Sequence, residues 1–460
     1  MAAITRRTFM DSAAVITGSL SLGTSCGKAD NRPNILLIIV DQMSGRVTDF
    51  SGTNSLVRTP AMDALAASGV SFANAYCPYP LCSPSRSAMF TGHYVHETGV
   101  ALNSNNDIYN KALPRLGDLF QDAGYLTAYF GKDHSGGTAQ PAFEVSGDAV
   151  KGKSVVTDPV WSRQCVEFLQ STTNRPFLAV ASLHNPHDIC GWIGDHNEPQ
   201  QWPDTNNLPP SLPNLRFNPA TEPEYRTIAR TGWGENFRTE QASDWEPDQF
   251  RAYLFAYYRF VEMVDSEIGV ILEALKQCGK EDNTVVLFIS DHGDGMGAHH
   301  LVTKPHMTEE TIRVPMIIRW PGHIETGVTD EQRLVSGIDI LPTLCECAGI
   351  PIPGSVRGRS LCPVLTGAEE DWRDYVVTQE SGGRTLRTGD YKYVRYAYGD
   401  RPEALYNLRT DPGEMGNLID DAVAASMLDE CRTRLNIWMA ETGDAFTLTN
   451  VPQRNQSPPL

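Results

Sequence analysis

Three short stretches of the chain concentrate side chains able to do hydrolytic chemistry on an anion. The first is Cys82-Ser83-Pro84-Ser85-Arg86, with Thr91-Gly92 shortly after. Proline is tolerated in the first turn of a helix, so Pro84 places residue 82 at a helix N-terminus, where unpaired N–H groups and the helix dipole favour an anion. The other two are Asp41-Gln42 and Ser290-Asp291-His292-Gly293, each closing an apolar run. Carboxylates about 250 residues apart in sequence can meet only through the fold, and a hard divalent cation is the usual reason to gather them. Two further polar clusters close similar runs: Gly131-Lys132-Asp133-His134 and His184-Asn185-Pro186-His187.

The elements that must position these groups are legible as four apolar runs: Asn34 to Val40, Leu126 to Phe130, Phe177 to Leu183 and Thr284 to Ser290. Continuous runs of this length, rich in Val, Ile and Leu, fit strands buried on both faces of a parallel sheet. Helical patterns lie between them. Thr59-Pro60 starts one that runs to Ser68 and stops at Gly69; Leu116 to Ala123 ends at Gly124; Pro159 to Gln170 and the long Gln249 to Gln277 follow, and Leu334 to Ala348 reads as a buried helix. Such alternation implies an open α/β sheet, in which ligands bind beyond the carboxyl ends of the strands. All four polar clusters sit at such ends, so one site built from four strand ends is the economical reading. From about Asp371 the pattern changes to short alternating runs, Tyr375 to Thr378, Thr385 to Arg387 and Tyr391 to Tyr398, with a closing helix near Ala422 to Ala440, the signature of a small antiparallel sheet plus helix. The domain reading is a signal segment over 1–30, a large catalytic domain over 31–370 and an α+β subdomain over 371–460. A Trp-, Pro- and Asn-rich stretch between Trp192 and Pro247, with little periodicity, is a candidate pocket wall.

The 460-residue chain carries a formal charge of −18 and a sequence pI near 5.0. Long-range repulsion therefore argues against a nucleic-acid or membrane-surface partner, and an anionic substrate must be held by a few local cations. Near the N-terminus, Thr5-Arg6-Arg7-Thr8-Phe9-Met10 resembles a twin-arginine signal. The weakly apolar stretch after it, Ala13 to Leu22, is too short and too polar for a transmembrane span. The expected location is exported, periplasmic or cell-surface, with Cys26 a candidate lipidation site one residue off the usual lipobox spacing. None of the ten cysteines forms a C-x-x-C pair, and most read as small buried apolar groups, Cys82 excepted.

The run Cys82-Ser83-Pro84-Ser85-Arg86 with Thr91-Gly92 resembles the C-x-P-S-R…T-G signature of the sulfatase family. Supporting motifs extend along nearly the whole chain, including Arg32-Pro33-Asn34-Ile35-Leu36 leading to Asp41 and the run around Asp291. The resemblance implies an alkaline-phosphatase-like fold: a large, mostly parallel sheet flanked by helices, with a smaller C-terminal antiparallel sheet plus helix. It implies that a formylglycine-generating maturation enzyme converts Cys82 to formylglycine (3-oxoalanine), an aldehyde hydrated to a gem-diol. Carried over residue by residue, Asp41, Gln42, residue 82, Asp291 and His292 surround one divalent metal ion, Ca2+ by resemblance. Gln42 and His292 stand where many members have Asp and Asn, which removes one negative charge and supplies an imidazole better suited to Mn2+ or Zn2+.

Arg86, Lys132 and Lys304 match family positions that hold the formylglycine and the sulfate, while His134 and His187 match those that handle protons. By that resemblance His187 protonates the departing alcohol and His134 takes the proton whose loss expels sulfate. Glu310, Arg313 and Val314-Pro315-Met316-Ile317-Ile318 continue the resemblance as scaffold; His299, His300 and His306 are less usual there and are candidate substrate contacts. The expected substrate is a sulfated carbohydrate, with choline sulfate and small aryl sulfates as alternatives. Two rival readings remain: a phosphonate or phosphate ester hydrolase on the same fold, and a catalytically inactive glycan-binding homologue. Retention of Cys82, Arg86, Lys132 and both Asp residues speaks against the second.

Overall fold

The apolar run after Pro33 forms the strand Asn34–Asp41, which lies inside an eight-stranded sheet. In the computed structural model the strand order is Val145–Ser146, Leu126–Gly131, Phe177–Pro186, Asn34–Asp41, Thr284–Ser290, Met316–Arg319, Val70–Phe72 and Val328–Asp330. Met316–Arg319 runs antiparallel to both its neighbours; the other pairings are parallel. The structure describes residues 32–47, 56–103, 106–171, 175–195, 208–230, 237–368 and 371–447, so the twin-arginine run and Cys26 lie outside the described residues.

Side chains of the Asn34–Asp41 strand alternate between two cores. Ile35, Leu37 and Ile39 pack on one face with Phe90, Phe120 and Leu341. Leu36, Ile38 and Val40 pack on the other with Trp161, Tyr257 and Ile268. Burial on both faces explains why the four central runs are continuously apolar instead of alternating. The helix Pro247–Gln277 covers the second face, as its helical spacing requires.

Two elements differ from their sequence reading. The helix expected to begin at Pro159 begins at Ser154, with Pro159 as its sixth residue. Proline there leaves the Val155 carbonyl without its helical donor, which is tolerable because Val155 is 56% exposed and water can reach it. The stretch Leu334 to Ala348 starts not as helix but as a strand, Val335–Ser336, paired with Ala75–Tyr76. A capping box between Ser336 and Asp339 then turns the chain into the helix Ile340–Cys347.

The C-terminal strands Tyr375–Glu380, Gly383–Thr388, Tyr391–Tyr396 and Glu403–Asn407 form an antiparallel sheet in that order; the last of them was not legible. One face packs on the helix Ala425–Thr442 through Val377, Leu386, Leu435 and Trp438. The other face, through Val394, Tyr396 and Tyr406, packs on Tyr225, Leu301 and Met307. No helix among the described residues is long and apolar enough to cross a membrane.

Candidate active site

Strand register brings the polar clusters to one level. Val40 pairs with Ser290, so Asp41 and Asp291 follow side by side, and Asp41 itself pairs with Pro186, one residue before His187. Gly131 pairs with Ser182 on the adjacent strand, which sets Lys132 at the same edge. Onto this edge points the helix Cys82–Thr91, every residue of which is buried. Ser85 Oγ anchors it by donating to the Asp291 carbonyl at 2.5 Å.

Cys82 is the first residue of that helix and has no exposed surface. Its Sγ lies 3.1 Å from Lys304 Nζ, 3.3 Å from His292 Nε2, 3.7 Å from Lys132 Nζ and 3.7 Å from Asp41 Oδ1, and His187 faces it closely enough to interact. One turn along, the Arg86 guanidinium donates to Asp291 Oδ2 at 2.8 Å and Asp41 Oδ2 at 3.3 Å. Its remaining nitrogen donates to Ser182 Oγ at 2.6 Å and to the Lys132 carbonyl at 3.1 Å. Lys132 Nζ is 2.5 Å from Asp41 Oδ2 and Lys304 Nζ 3.5 Å from Asp41 Oδ1.

Burial works against ionisation of Asp41, but Lys132, Lys304, His187 and Arg86 outweigh it and hold the carboxyl well below the usual range. Asp291 moves the other way: burial and the neighbouring Asp41 raise it more than His292 and Arg86 lower it. The Cys82 thiol is lowered; burial and Asp41 oppose its ionisation, and Lys132, Lys304 and His292 overcome them. Arg86, Lys132 and Lys304 therefore face two carboxylates around residue 82, a local surplus of positive charge in an acidic protein.

One donor atom each of Asp41, Cys82, Asp291 and His292 lies within 4.8 Å of the others, all buried. His292 Nδ1 is 2.8 Å from the Gly293 carbonyl, which turns Nε2 towards the carboxylates; burial opposes protonation of the ring, but Asp291 overcomes it and raises His292, and a metal ion bound there would take the place of that proton. Two buried carboxylates and an imidazole so arranged fit a divalent cation. Gln42 stands beside them in the left-handed region at φ 72°. Its N–H donates to Asp291 Oδ1 at 3.1 Å and its carbonyl accepts from Tyr257 at 2.7 Å, which fixes this strained turn. The Gln42 side chain is held by Asp294, to whose Oδ2 its amide donates at 2.7 Å, and by Cys190.

His187 and His184 pair at 3.2 Å between Nδ1 and Nε2. Burial, then Lys304 and Lys132, push His187 down to about 4; burial and Lys132 push His184 to about 2. The backbone N–H groups of His184 and Asn185 donate to Asp158 at 2.7 and 2.9 Å, which fixes the strand end. His134, two residues beyond Lys132, is half-buried with φ 42°, and its Nδ1 has no hydrogen-bond partner among the described residues.

The structure thus gathers Asp41, Cys82, Arg86, Lys132, His187, Asp291, His292 and Lys304 around one point, with Gln42 on its rim. His299 and His306 are instead buried scaffold: His299 bonds the Asn214 and Arg230 region through its backbone, and His306 Nε2 bonds the Val302 carbonyl. His300 packs between Phe217 and Phe250. Trp192 packs on Trp245 and Tyr253, so this part of the presumed pocket wall belongs to the core. Sequence reasoning missed Ser182, His184, Cys190, Tyr253 and Asp294. Only His184 and Asp294 carried a signal, the first lying inside a polar cluster already singled out and the second one residue beyond another.

A mostly parallel sheet that brings Asp41, Lys132 and Asp291 to neighbouring strand ends, facing a helix that carries Cys82 and Arg86 and a loop that carries Lys304, has the architecture of the alkaline-phosphatase-like class. The sulfatase family profile matches residues 33–350, and a profile described as N-sulphoglucosamine sulphohydrolase, C-terminal, matches 297–441. The chain belongs to the sulfatase family and is a sulfuric ester hydrolase. It is 31% identical to the Delta 4,5-hexuronate-2-O-sulfatase of Bacteroides thetaiotaomicron, over 95% of this chain and 96% of that one. It is 30% identical to an ulvan-active sulfatase of Formosa agariphila, over 90% and 82%. A solved structure of a 2-O GAG sulfatase superposes with a TM-score of 0.83 at 30% identity, covering 93% of this chain and 97% of that chain.

Proposed function

We propose that the enzyme removes sulfate from a sulfated saccharide after export, with Cys82 oxidised beforehand to formylglycine by a maturation enzyme. The observation that carries this reading is the convergence of Lys132, Lys304 and the Arg86-linked carboxylates on one side chain at a helix N-terminus. The Cys82 Sγ stands in for the oxygen of the aldehyde or its hydrate. The hydrate supplies one hydroxyl to attack sulfur and a second whose deprotonation expels sulfate, which a plain serine or cysteine cannot do. Asp41, residue 82, Asp291 and His292 would hold a divalent cation, Ca2+ on its oxygen donors with Mn2+ the alternative, which would supply Lewis acidity at residue 82; Gln42 would join them only by turning its amide away from Asp294 and Cys190.

The chain's own residues divide the remaining work. Lys132 and Lys304 flank residue 82 and offset charge on the sulfuryl oxygens. All the Arg86 nitrogens are engaged by protein, so Arg86 holds the two carboxylates to the helix. His187 passes a proton to the leaving oxygen. Its imidazole is held neutral by burial and the two lysines, and an anionic sulfate docked on those lysines reverses their effect and raises its proton affinity. His134 takes the proton from the second hydroxyl.

The saccharide reading draws support from the names of the relatives and from a cavity of about 510 Å³ lined by His96, Leu102, Tyr398 and Phe446. Leu102 precedes Asn103, whose side chain accepts from the Ser83 N–H beside the nucleophile, so this cavity is the proposed seat of neighbouring sugar units. The test is mass spectrometry of the peptide containing residue 82 together with a panel of sulfated saccharides, aryl sulfate and aryl phosphate. An aldehyde and turnover of a saccharide sulfate are expected. Unmodified Cys82 in fully active enzyme, or aryl phosphate turnover above every sulfate ester, overturns the reading.

A further inference from the structure

Away from the active site two thiols meet. Cys347 ends the helix Ile340–Cys347 and Cys362 opens the helix Cys362–Leu365; their sulfurs lie 3.1 Å apart and both residues are buried. The chain between them is a strap over the far end of the nucleophile-bearing helix. The N–H groups of Arg357 and Gly358 both donate to the Gly92 carbonyl, at 2.9 and 3.1 Å, and Gly92 is the C-cap of Cys82–Thr91. Gly358 approaches so closely that a Cβ on it would lie 2.0 Å from the Ile338 carbonyl oxygen. Arg359 N–H donates to Asp339 at 2.8 Å and Leu361 N–H to Thr343 at 2.9 Å. The strap is seated from Arg357 to Leu361, residues 351–355 before it are mostly exposed, and its two ends are the two thiols.

We infer that Cys347 and Cys362 form a disulfide that closes this strap and fixes the C-terminal end of the catalytic helix. Closing the gap to bonding distance takes a shift of about 1 Å. The contact between the sulfurs raises Cys347 and lowers Cys362, so Cys362 is the thiol that ionises first. When the strap, mostly exposed over residues 351–355, opens locally, this thiolate attacks one sulfur of an oxidised dithiol protein or small disulfide and displaces a thiolate. Cys347 then attacks the Cys362 sulfur of the mixed disulfide, passes its proton to solvent, and displaces the second. One S–S bond forms and one breaks; the pair loses two electrons, and the oxidant leaves as two thiols. Cys82 takes no part, so the bridge does not consume the nucleophile precursor. In the cell the step needs an oxidising compartment and so rests on the export reading, but the chemistry is testable without it.

Purified full-length enzyme is equilibrated with oxidised or reduced glutathione, alkylated after denaturation and digested with trypsin. Cleavage after Arg333, Arg357, Arg359 and Arg373 leaves Cys347 on one peptide and Cys362 on another. In the oxidised sample these peptides should be joined and two hydrogens lighter than their sum, with fragmentation assigning the bond to Cys347 and not Cys345. Reduction should lower Tm by about 3–4 °C, the effect of opening a loop of about 15 residues in a chain of this size. The shift should vanish in the Cys347→Ser/Cys362→Ser variant. Full alkylation of both cysteines after oxidised incubation overturns the bridge; an equal Tm response in the double variant overturns its role in fixing the strap.

Discussion

Replacing Arg86 by lysine keeps a positive charge between Asp41 and Asp291 but removes the fork that spans them. The guanidinium makes four hydrogen bonds, two to carboxylates at 2.8 and 3.3 Å and two to neutral oxygens at 2.6 and 3.1 Å. A single ammonium on an unbranched stem reaches one carboxylate. The second carboxylate bond, at about 1.5–3 kcal/mol, and the two neutral ones, at about 1 kcal/mol each, are lost. The total, about 3.5–5 kcal/mol, falls in the range for breaking a buried ion pair. For a 460-residue chain the unfolding entropy is worth about 1 kcal/mol per degree near the midpoint, so Tm should drop by roughly 4–5 °C. Activity should fall by about 100-fold or more, because the carboxylates are no longer held in register with residue 82. Calorimetry and kcat/KM on an aryl sulfate measure both effects. A Tm within about 1 °C of wild type with kcat/KM within about threefold would refute the bridging role.

Other perturbations separate the remaining parts of the site. Asp41→Asn and Asp291→Asn should each weaken divalent-ion binding in titration calorimetry and nearly abolish turnover, and chelation should do so reversibly; full activity in metal-free enzyme contradicts this. His187→Ala should cost about 10²–10⁴-fold on a carbohydrate sulfate and far less on a nitrophenyl sulfate, whose leaving group needs no proton, while the loss in His134→Ala should depend less on the leaving group. Equal losses for His187→Ala on the two substrates would move the acid role to Lys304. Burial raises Asp158 to about 7, above its ordinary value, so the folded state holds this proton more tightly than the unfolded chain. That contribution is complete below about pH 4 and is lost as pH rises through about 7, so urea midpoints of wild type should decline over this window more steeply than those of Asp158→Asn; parallel curves would exclude Asp158 as the source.

The central sheet and its site were legible because their signals are local. An uninterrupted apolar run ending in Asp, Lys or His announces a buried strand and a strand-end ligand together, as at Asp41, Lys132, His187 and Asp291. What escaped depends on partners distant in sequence. Ser182 reads as part of an apolar strand until Arg86 is brought against it. Tyr253 reads as one more aromatic on a core-facing helix until Asp294 accepts its hydroxyl. His299 and His306 looked available for substrate because their burial comes from the Asn214 to Arg230 region and the packing of the C-terminal sheet on Leu301 and Met307, neither of which leaves a periodic trace. The strand Glu403–Asn407 is five residues long with a single large apolar pair, too brief for alternation to register.

The complete burial of the Cys82–Thr91 helix sets a clock on the protein's biosynthesis. A side chain with no exposed surface, walled in by two lysines, an arginine and two histidines, offers nothing for another enzyme to grip. The proposed oxidation of residue 82 would therefore have to win a race against the chain's own folding, because the sheet that walls it in assembles only when Thr284–Ser290 docks beside Asn34–Asp41. Slow translation or delayed folding should raise the yield of competent enzyme, and a faster-folding variant could be more stable yet emptier of activity per molecule.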